Sequence, residues 1–165
     1  MLTNARLVFQ SHDHQRTLVA ALDQATALCA ERNVRLTSAR RTVLELLWQS
    51  RSPLGAYQLQ DQMSKLSGKS IAPPTVYRAI EFLVEQGLAH RIHSLNAFIG
   101  CPFPNSVHSN VFMICEQCNN VAEVADAKIN QLITDRSETL NFTLRSQTIE
   151  LFGICPKCSN GDSHA

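Results

Sequence analysis

Apolar positions at 18, 21, 22, 25, 28 and 29 recur with helical spacing, which predicts a helix from Thr17 to Arg32 and sets the lone Cys29 on its buried face as a core thiol. Residues 1–16 show no such period and read as a flexible tail, so His12, Asp13 and His14 receive no metal-binding role. A second helix takes Thr37 as its N-cap and runs to about Gln49; Val43, Leu44, Leu46, Leu47 and Trp48 supply its apolar surface, and Ser52-Pro53 stops it. Leu59, Met63 and Leu66, at i, i+4 and i+7, mark a third helix over about 55–66, and Ser-Gly-Lys-Ser follows as a loop.

The stretch APPTVYRAIEFLVEQG predicts the fourth helix. Pro73 and Pro74 occupy first-turn positions that need no amide donor, and Gly87 supplies a left-handed end. At about 100° per residue, Val76, Ala79, Ile80, Leu83 and Val84 share one face while Thr75, Arg78, Glu81 and Glu85 point away. Its first turn therefore presents Thr75, Tyr77 and Arg78 outward. LAHRIH and AFIGC flank Ser94-Leu95-Asn96 as the arms of a β-hairpin, and helices followed by such a hairpin describe a winged helix. CPFPNSVHS then reads as a hinge. Beyond it lie strands near 110–115 and 120–125, a helix from about Asp126 to Thr139, and a strand NFTLRSQTIELFGI ending at CPKC. This second α+β unit holds few large apolar side chains, so it needs a metal and a partner subunit for stability.

Composition narrows the class. With 44% hydrophobic and 18% charged residues the chain is globular, no apolar run approaches the roughly 18 residues of a membrane span, and its start lacks a secretory core, so a cytoplasmic location is expected. Residues 1–100 carry 11 basic against 7 acidic side chains, and residues 101–165 carry 4 against 7. Such a split suits two units of which the first meets a polyanion; a difference of a few charges is equally compatible with no partner at all.

Four of the six cysteines form two C-x-x-C pairs, Cys115/Cys118 and Cys155/Cys158. Two such knuckles aim four thiolates at one point and suit a structural tetrahedral Zn²⁺; the competing reading is a thiol redox enzyme, although that chemistry uses a single pair opening a helix. A closed four-thiolate site leaves nothing to exchange. His90 and Cys101 at the bases of the hairpin, His108 in the hinge and Glu123 in the second unit offer one further tetrahedral set, a removable site drawn from both units. Taken singly, each has an ordinary reading as a surface histidine, a core thiol or a solvated carboxylate.

RNVRLTSAR, PPTVYRAIEFLVEQGLAHRI, C-E-Q-C and G-I-C-P-K-C, in this order over about 22–158, resemble the ferric uptake regulator family of bacterial metal-responsive repressors, with the likeness strongest to its zinc uptake regulators. The resemblance implies a winged-helix DNA-binding domain over 17–101, a hinge over 102–109, an α/β dimerisation domain over 110–158 and a tail over 159–165. It also implies two Zn²⁺ per monomer: a structural ion on Cys115, Cys118, Cys155 and Cys158, and a regulatory ion on His90, Cys101, His108 and Glu123. Family iron sensors carry a His/Asp-rich segment where this chain has Asn110, Val111 and Phe112, and a further histidine where it has Ser146 or Gln147. Loss of those harder ligands beside a retained thiolate favours zinc.

The expected function is a zinc-responsive repressor of zinc uptake genes, without catalysis, that binds operator DNA as a homodimer. Two dimers on one operator are a further expectation, with Asp61 and Arg78 available to pair between them. The fourth helix would enter the major groove, with Thr75, Tyr77, Arg78 and Tyr57 contacting bases or phosphates and Arg35, Arg40 and Arg41 near phosphates. Partial burial of Tyr57 and Tyr77 is the alternative. Rival functions are a regulator of another divalent metal and a metal-independent DNA-binding protein with structural zinc alone.

Overall fold

The computed structural model describes residues 14–50, 52–105 and 110–160, so the assignments made to His12, to His108 and to the terminal segments 1–13 and 161–165 lie outside the described residues. The chain forms two compact units, within residues 14–105 and 110–160.

The first unit opens with helix α1 (His14–Glu31), which begins three residues ahead of the expected start. Helices α2 (Ser38–Gln49), α3 (Ala56–Ser67) and α4 (Pro73–Glu85) follow, then strands β1 (Ala89–Ile92) and β2 (Ala97–Gly100). Thr37 has the extended backbone of an N-cap but makes no side-chain capping bond. Gly55 caps α3, its amide donating to Gln58 Oε1 at 2.8 Å. Gly68 and Gly87, with φ of 65° and 67°, end α3 and α4 in the left-handed region that glycine enters without strain.

A single core joins these helices, with Leu22, Ala25 and Leu28 of α1 meeting Val43, Leu44 and Leu47 of α2, Leu59 and Met63 of α3, and the buried face of α4. Cys29 is buried in it as expected, and burial raises its thiol pKa. The face of α4 departs from the helical-wheel reading in one respect: Phe82 is buried and Val84 is exposed. The reason is where neighbours stand. Arg40 of α2 covers the Phe82 flank, while Val84 faces a cleft toward the hairpin.

Strands β1 and β2 pair antiparallel with Ala89 opposite Gly100 and His90 opposite Ile99. Leu54 adds a third short arm, exchanging both backbone hydrogen bonds with Phe98 at 2.9 and 3.0 Å. Asn96, at φ 46°, makes the hairpin turn and accepts a bond from Arg91.

The second unit contains strands β3 (Val111–Cys115) and β4 (Val121–Val124), helix α5 (Ala127–Thr139), strand β5 (Ile149–Gly153) and a short helix α6 (Pro156–Ser159). Its sheet has the order β4-β3-β5, antiparallel on one side of β3 and parallel on the other. Asp126 caps α5 by accepting from the Lys128 amide at 2.8 Å. The long strand expected over 141–154 forms only at Ile149–Gly153; residues 142–148 lie outside the ladder and are exposed except Gln147, which donates to Asn130 Oδ1. The unit's buried side chains are few, chiefly Val111, Phe112, Ile114 and Ala122, whereas Leu132, Leu140, Phe142, Phe152 and Ile154 are exposed.

Candidate metal centres and DNA-reading face

The turn after β3 and the first turn of α6 bring the two C-x-x-C pairs together. Cys115 Sγ lies 3.8 Å from Cys158 Sγ, Cys118 Sγ lies 3.8 Å from Cys155 Sγ, and all four sulfurs fall within 4.8 Å of one another. Sulfurs bound at about 2.3 Å to a tetrahedral Zn²⁺ stand about 3.8 Å apart, so the cluster has the dimensions of a four-thiolate zinc site. Backbone amides support it: the Cys155 amide donates to Cys115 Sγ at 3.3 Å and the Cys158 amide to Cys155 Sγ at 3.5 Å.

Burial and hydrogen bonding perturb three of the four thiols in different directions. Burial works against the Cys115 thiolate, but the amides of Cys155, Cys118 and Gln117 outweigh it and bring its pKa down to about 6. Burial, the strongest cause in both cases, pushes Cys118 and Cys158 up, and the neighbouring sulfurs raise Cys158 further. Hydrogen bonding thus holds Cys115 toward the thiolate form that ligates a metal, and burial holds Cys118 and Cys158 toward the thiol until a cation compensates them.

Of the second candidate set, the first unit supplies two members. His90 sits on β1 and Cys101 directly follows β2, and the hairpin register brings a His90 ring nitrogen and Cys101 Sγ within 4.8 Å of each other. The Cys101 amide donates to the Leu88 carbonyl at 3.0 Å, and Cys101 Sγ accepts from the Phe103 amide at 3.3 Å, so the sulfur is anchored from both sides. In the second unit Glu123 stands on β4 opposite Phe112 and is only 4% exposed. Among the described residues it is the one buried charged side chain.

The residues expected to meet DNA divide by exposure. Thr75 and Arg78 are exposed on the first turns of α4, and Tyr57 is 76% exposed, whereas Tyr77, at 42%, is partly covered, as the alternative reading had it for that residue. A cleft of about 500 Å³ lies beside them, lined by Tyr57, Tyr77, Glu81, Val84, Arg91 and Phe98. Arg35 is exposed, and Arg41, also exposed, pairs with Glu45 at 3.0 Å.

Arg40 differs from the other arginines. Its guanidinium lies 3.5 Å from the Phe82 ring centroid and donates to the Arg35 carbonyl at 2.5 Å, so its charge serves the packing of α2 on α4. Asp61 pairs with Lys65 on its own helix at 2.6 Å, a contact that a link to Arg78 of another dimer would have to break. Arg32, which no sequence signal singled out, donates to the Gln86 carbonyl at 2.6 Å and caps the end of α4.

The roles of the arginines predict a split in salt dependence. Arg35→Ala should lower the slope of log binding constant against log salt by about 1, the loss of one phosphate contact. Arg40→Ala should leave that slope unchanged and destabilise the first unit by about 1 kcal/mol, the scale of a partly desolvated cation–π contact. Operator titrations at several salt concentrations, with thermal melts, distinguish the two.

A winged helix with an exposed reading helix, followed by a small sheet unit closed by four thiolates, is the layout of a metal-binding transcription regulator. The chain belongs to the ferric uptake regulator family, whose model matches residues 31–152. The zinc uptake regulation protein of Escherichia coli (strain K12) is 36% identical over 138 residues, covering 83% of this chain and 80% of that one. A zinc uptake regulator solved in complex with zinc and DNA superposes with a TM-score of 0.81 at 33% identity, covering 92% of this chain and 99% of that one. Holo XcZur superposes with a TM-score of 0.78 at 37% identity, covering 86% and 98%.

Proposed function

We propose that this protein is a zinc-responsive repressor that binds operator DNA as a zinc-loaded homodimer and silences zinc uptake genes in the cytoplasm. The observation that carries the reading is the presence of a soft His90–Cys101 ligand pair in the same unit as an exposed DNA-reading helix, separate from the closed four-cysteine cluster. The zinc regulators it resembles, one of them solved with zinc and DNA, point the same way.

Two ions per monomer are assigned. Cys115, Cys118, Cys155 and Cys158 hold a structural Zn²⁺, while His90 and Cys101, joined by His108 and Glu123, hold a regulatory one. A thiolate and imidazoles favour Zn²⁺ over harder ions, and ligands drawn from both sides of the hinge make occupancy a constraint on how the reading helices are presented. Filling the site shifts the population toward the DNA-binding arrangement; scarcity empties it. In the DNA complex the first turn of α4 enters the major groove, where Arg78 and Tyr77 meet base edges and thymine methyls, and Thr75, Tyr57 and Arg35 meet bases or phosphates. Arg40 acts from behind, holding α2 against Phe82.

The exposed Leu132, Leu140, Phe142, Phe152 and Ile154, together with the edge position of β5, support dimerisation through the second unit. Nothing in this chemistry calls for turnover, and the protein is assigned no enzymatic activity.

Metal stoichiometry tests the assignment. Elemental mass spectrometry should find two zinc ions per monomer, falling to one after dialysis against a mild chelator, and one throughout for Cys101→Ser. One zinc throughout in the wild type would remove the regulatory site from this account.

A further inference from the structure

The chain contains one tryptophan, Trp48, near the end of α2. Its indole lies against Gly100: a Cβ at that glycine would meet Trp48 Nε1 at 2.5 Å, Cε2 at 2.8 Å and Cδ1 at 2.9 Å. These separations are far inside van der Waals contact, so Gly100 is glycine because the ring occupies the space of its side chain. Gly100 is the last residue of β2, pairs across the hairpin with Ala89, and is followed by Cys101; Ala89 in turn precedes His90. The indole thus rests on the one backbone segment from which the Cys101 ligand departs.

We propose that Trp48 is a positioning residue for the regulatory zinc site, its indole holding the end of β2 so that Cys101 Sγ stands within reach of His90. The inference rests on the assignment of His90 and Cys101 to that site. The Cys101 amide donates to the Leu88 carbonyl and its sulfur accepts from the Phe103 amide, while β2 itself is paired with β1 and bridged to Leu54 at Phe98. The indole adds a side-chain contact from α2 at Gly100, the residue directly before the ligand. Trp48 also packs on the core shared by α2 and α4, so the same side chain ties the ligand pair to the helices that present the DNA-reading face. A group that orients a metal ligand without touching the metal alters affinity by about 10- to 100-fold when removed.

The emission of the single tryptophan should change when the releasable zinc binds, and this signal should be absent in Cys101→Ser. Gly100→Ala should weaken the releasable zinc by at least about 10-fold while the structural zinc is retained. Combining it with Trp48→Ala, which clears the space, should restore part of that loss. Trp48→Phe, which keeps an aromatic ring on the strand, should bind zinc more tightly than Trp48→Ala. The readouts are zinc titrations against a competing chelator dye, with helical circular dichroism to confirm that the first unit is folded.

Wild-type zinc affinity in a folded Gly100→Ala and Trp48→Ala, beside a normal two-zinc wild type, would overturn the role of Trp48 and leave the regulatory site standing. Equal zinc affinity of folded Trp48→Phe and Trp48→Ala would likewise overturn it. A wild type with no releasable zinc would overturn the site and this inference together.

Discussion

A Cys155→Ser variant is expected to lose its tightly held zinc, the fold of residues 110–160 and dimerisation in a single step. The sulfur of Cys155 stands 3.8 Å from Cys118 Sγ, and its own amide donates to Cys115 Sγ, so serine removes a ligand and disturbs the turn that supports a second. Structural zinc contributes on the order of 10 kcal/mol to small domains. A domain's whole stability is only about 5–15 kcal/mol. The buried set of Val111, Phe112, Ile114 and Ala122 is too small to replace that contribution. The first unit should survive, because its core runs from Leu22 to Phe98 and includes no residue of the second. Hydrogen exchange read by mass spectrometry should therefore show fast exchange across β3, β4 and β5 with α2 and α4 still protected. A Cys155→Ser protein that stays dimeric and protected across the sheet would refute the structural role of the cluster.

The second large effect concerns DNA. Removing the regulatory zinc, by mild chelation or by Cys101→Ser, should weaken operator binding by roughly 5- to 150-fold, the span of ordinary coupling energies between two sites. Cys101 is buried, 2% exposed, so its substitution takes no side chain from the surface that would face DNA, and a loss of operator binding would report on the metal site. Linkage makes a reciprocal demand: saturating operator DNA must tighten regulatory zinc by the same factor that zinc tightens DNA. Fluorescence anisotropy with labelled operator measures one side of the cycle, and zinc competition with and without operator measures the other. Identical operator affinity for the chelated and zinc-loaded proteins would leave a metal-independent DNA-binding protein.

Much of this was legible before the fold, and the reason is locality. The ends of α4 are written in Pro73, Pro74 and Gly87, each of which restricts the backbone at its own position. The four-cysteine cluster follows from two short chelating turns, since a C-x-x-C segment prepares two ligands whatever surrounds it. The His90–Cys101 pair is legible for a similar reason, because the register of a tight hairpin decides which residues at its open end are neighbours.

Features that depend on a distant partner were not legible. The apolar pattern of α4 ranks Val84 with the core and leaves out Phe82, whereas in the fold Arg40 of α2 covers Phe82 and Val84 lines an open cleft. Residues 142–148 have the composition of a strand yet gain no partner, and pairing, not propensity, makes a strand. Asp61 and Arg40 look available for recognition in the sequence, but Lys65 and Phe82 engage them.

The amino-acid sequence by itself determined the order of elements, the winged helix, the two cysteine pairs and the family, because each is carried by motifs whose residues lie a few positions apart. Only the tertiary structure decided which arginine packs and which is exposed, that Glu123 is buried, and that Trp48 fills the space beside Gly100. Those outcomes depend on contacts between segments tens of residues apart, and the free energy of such a contact exists only once the chain has closed the loop between them.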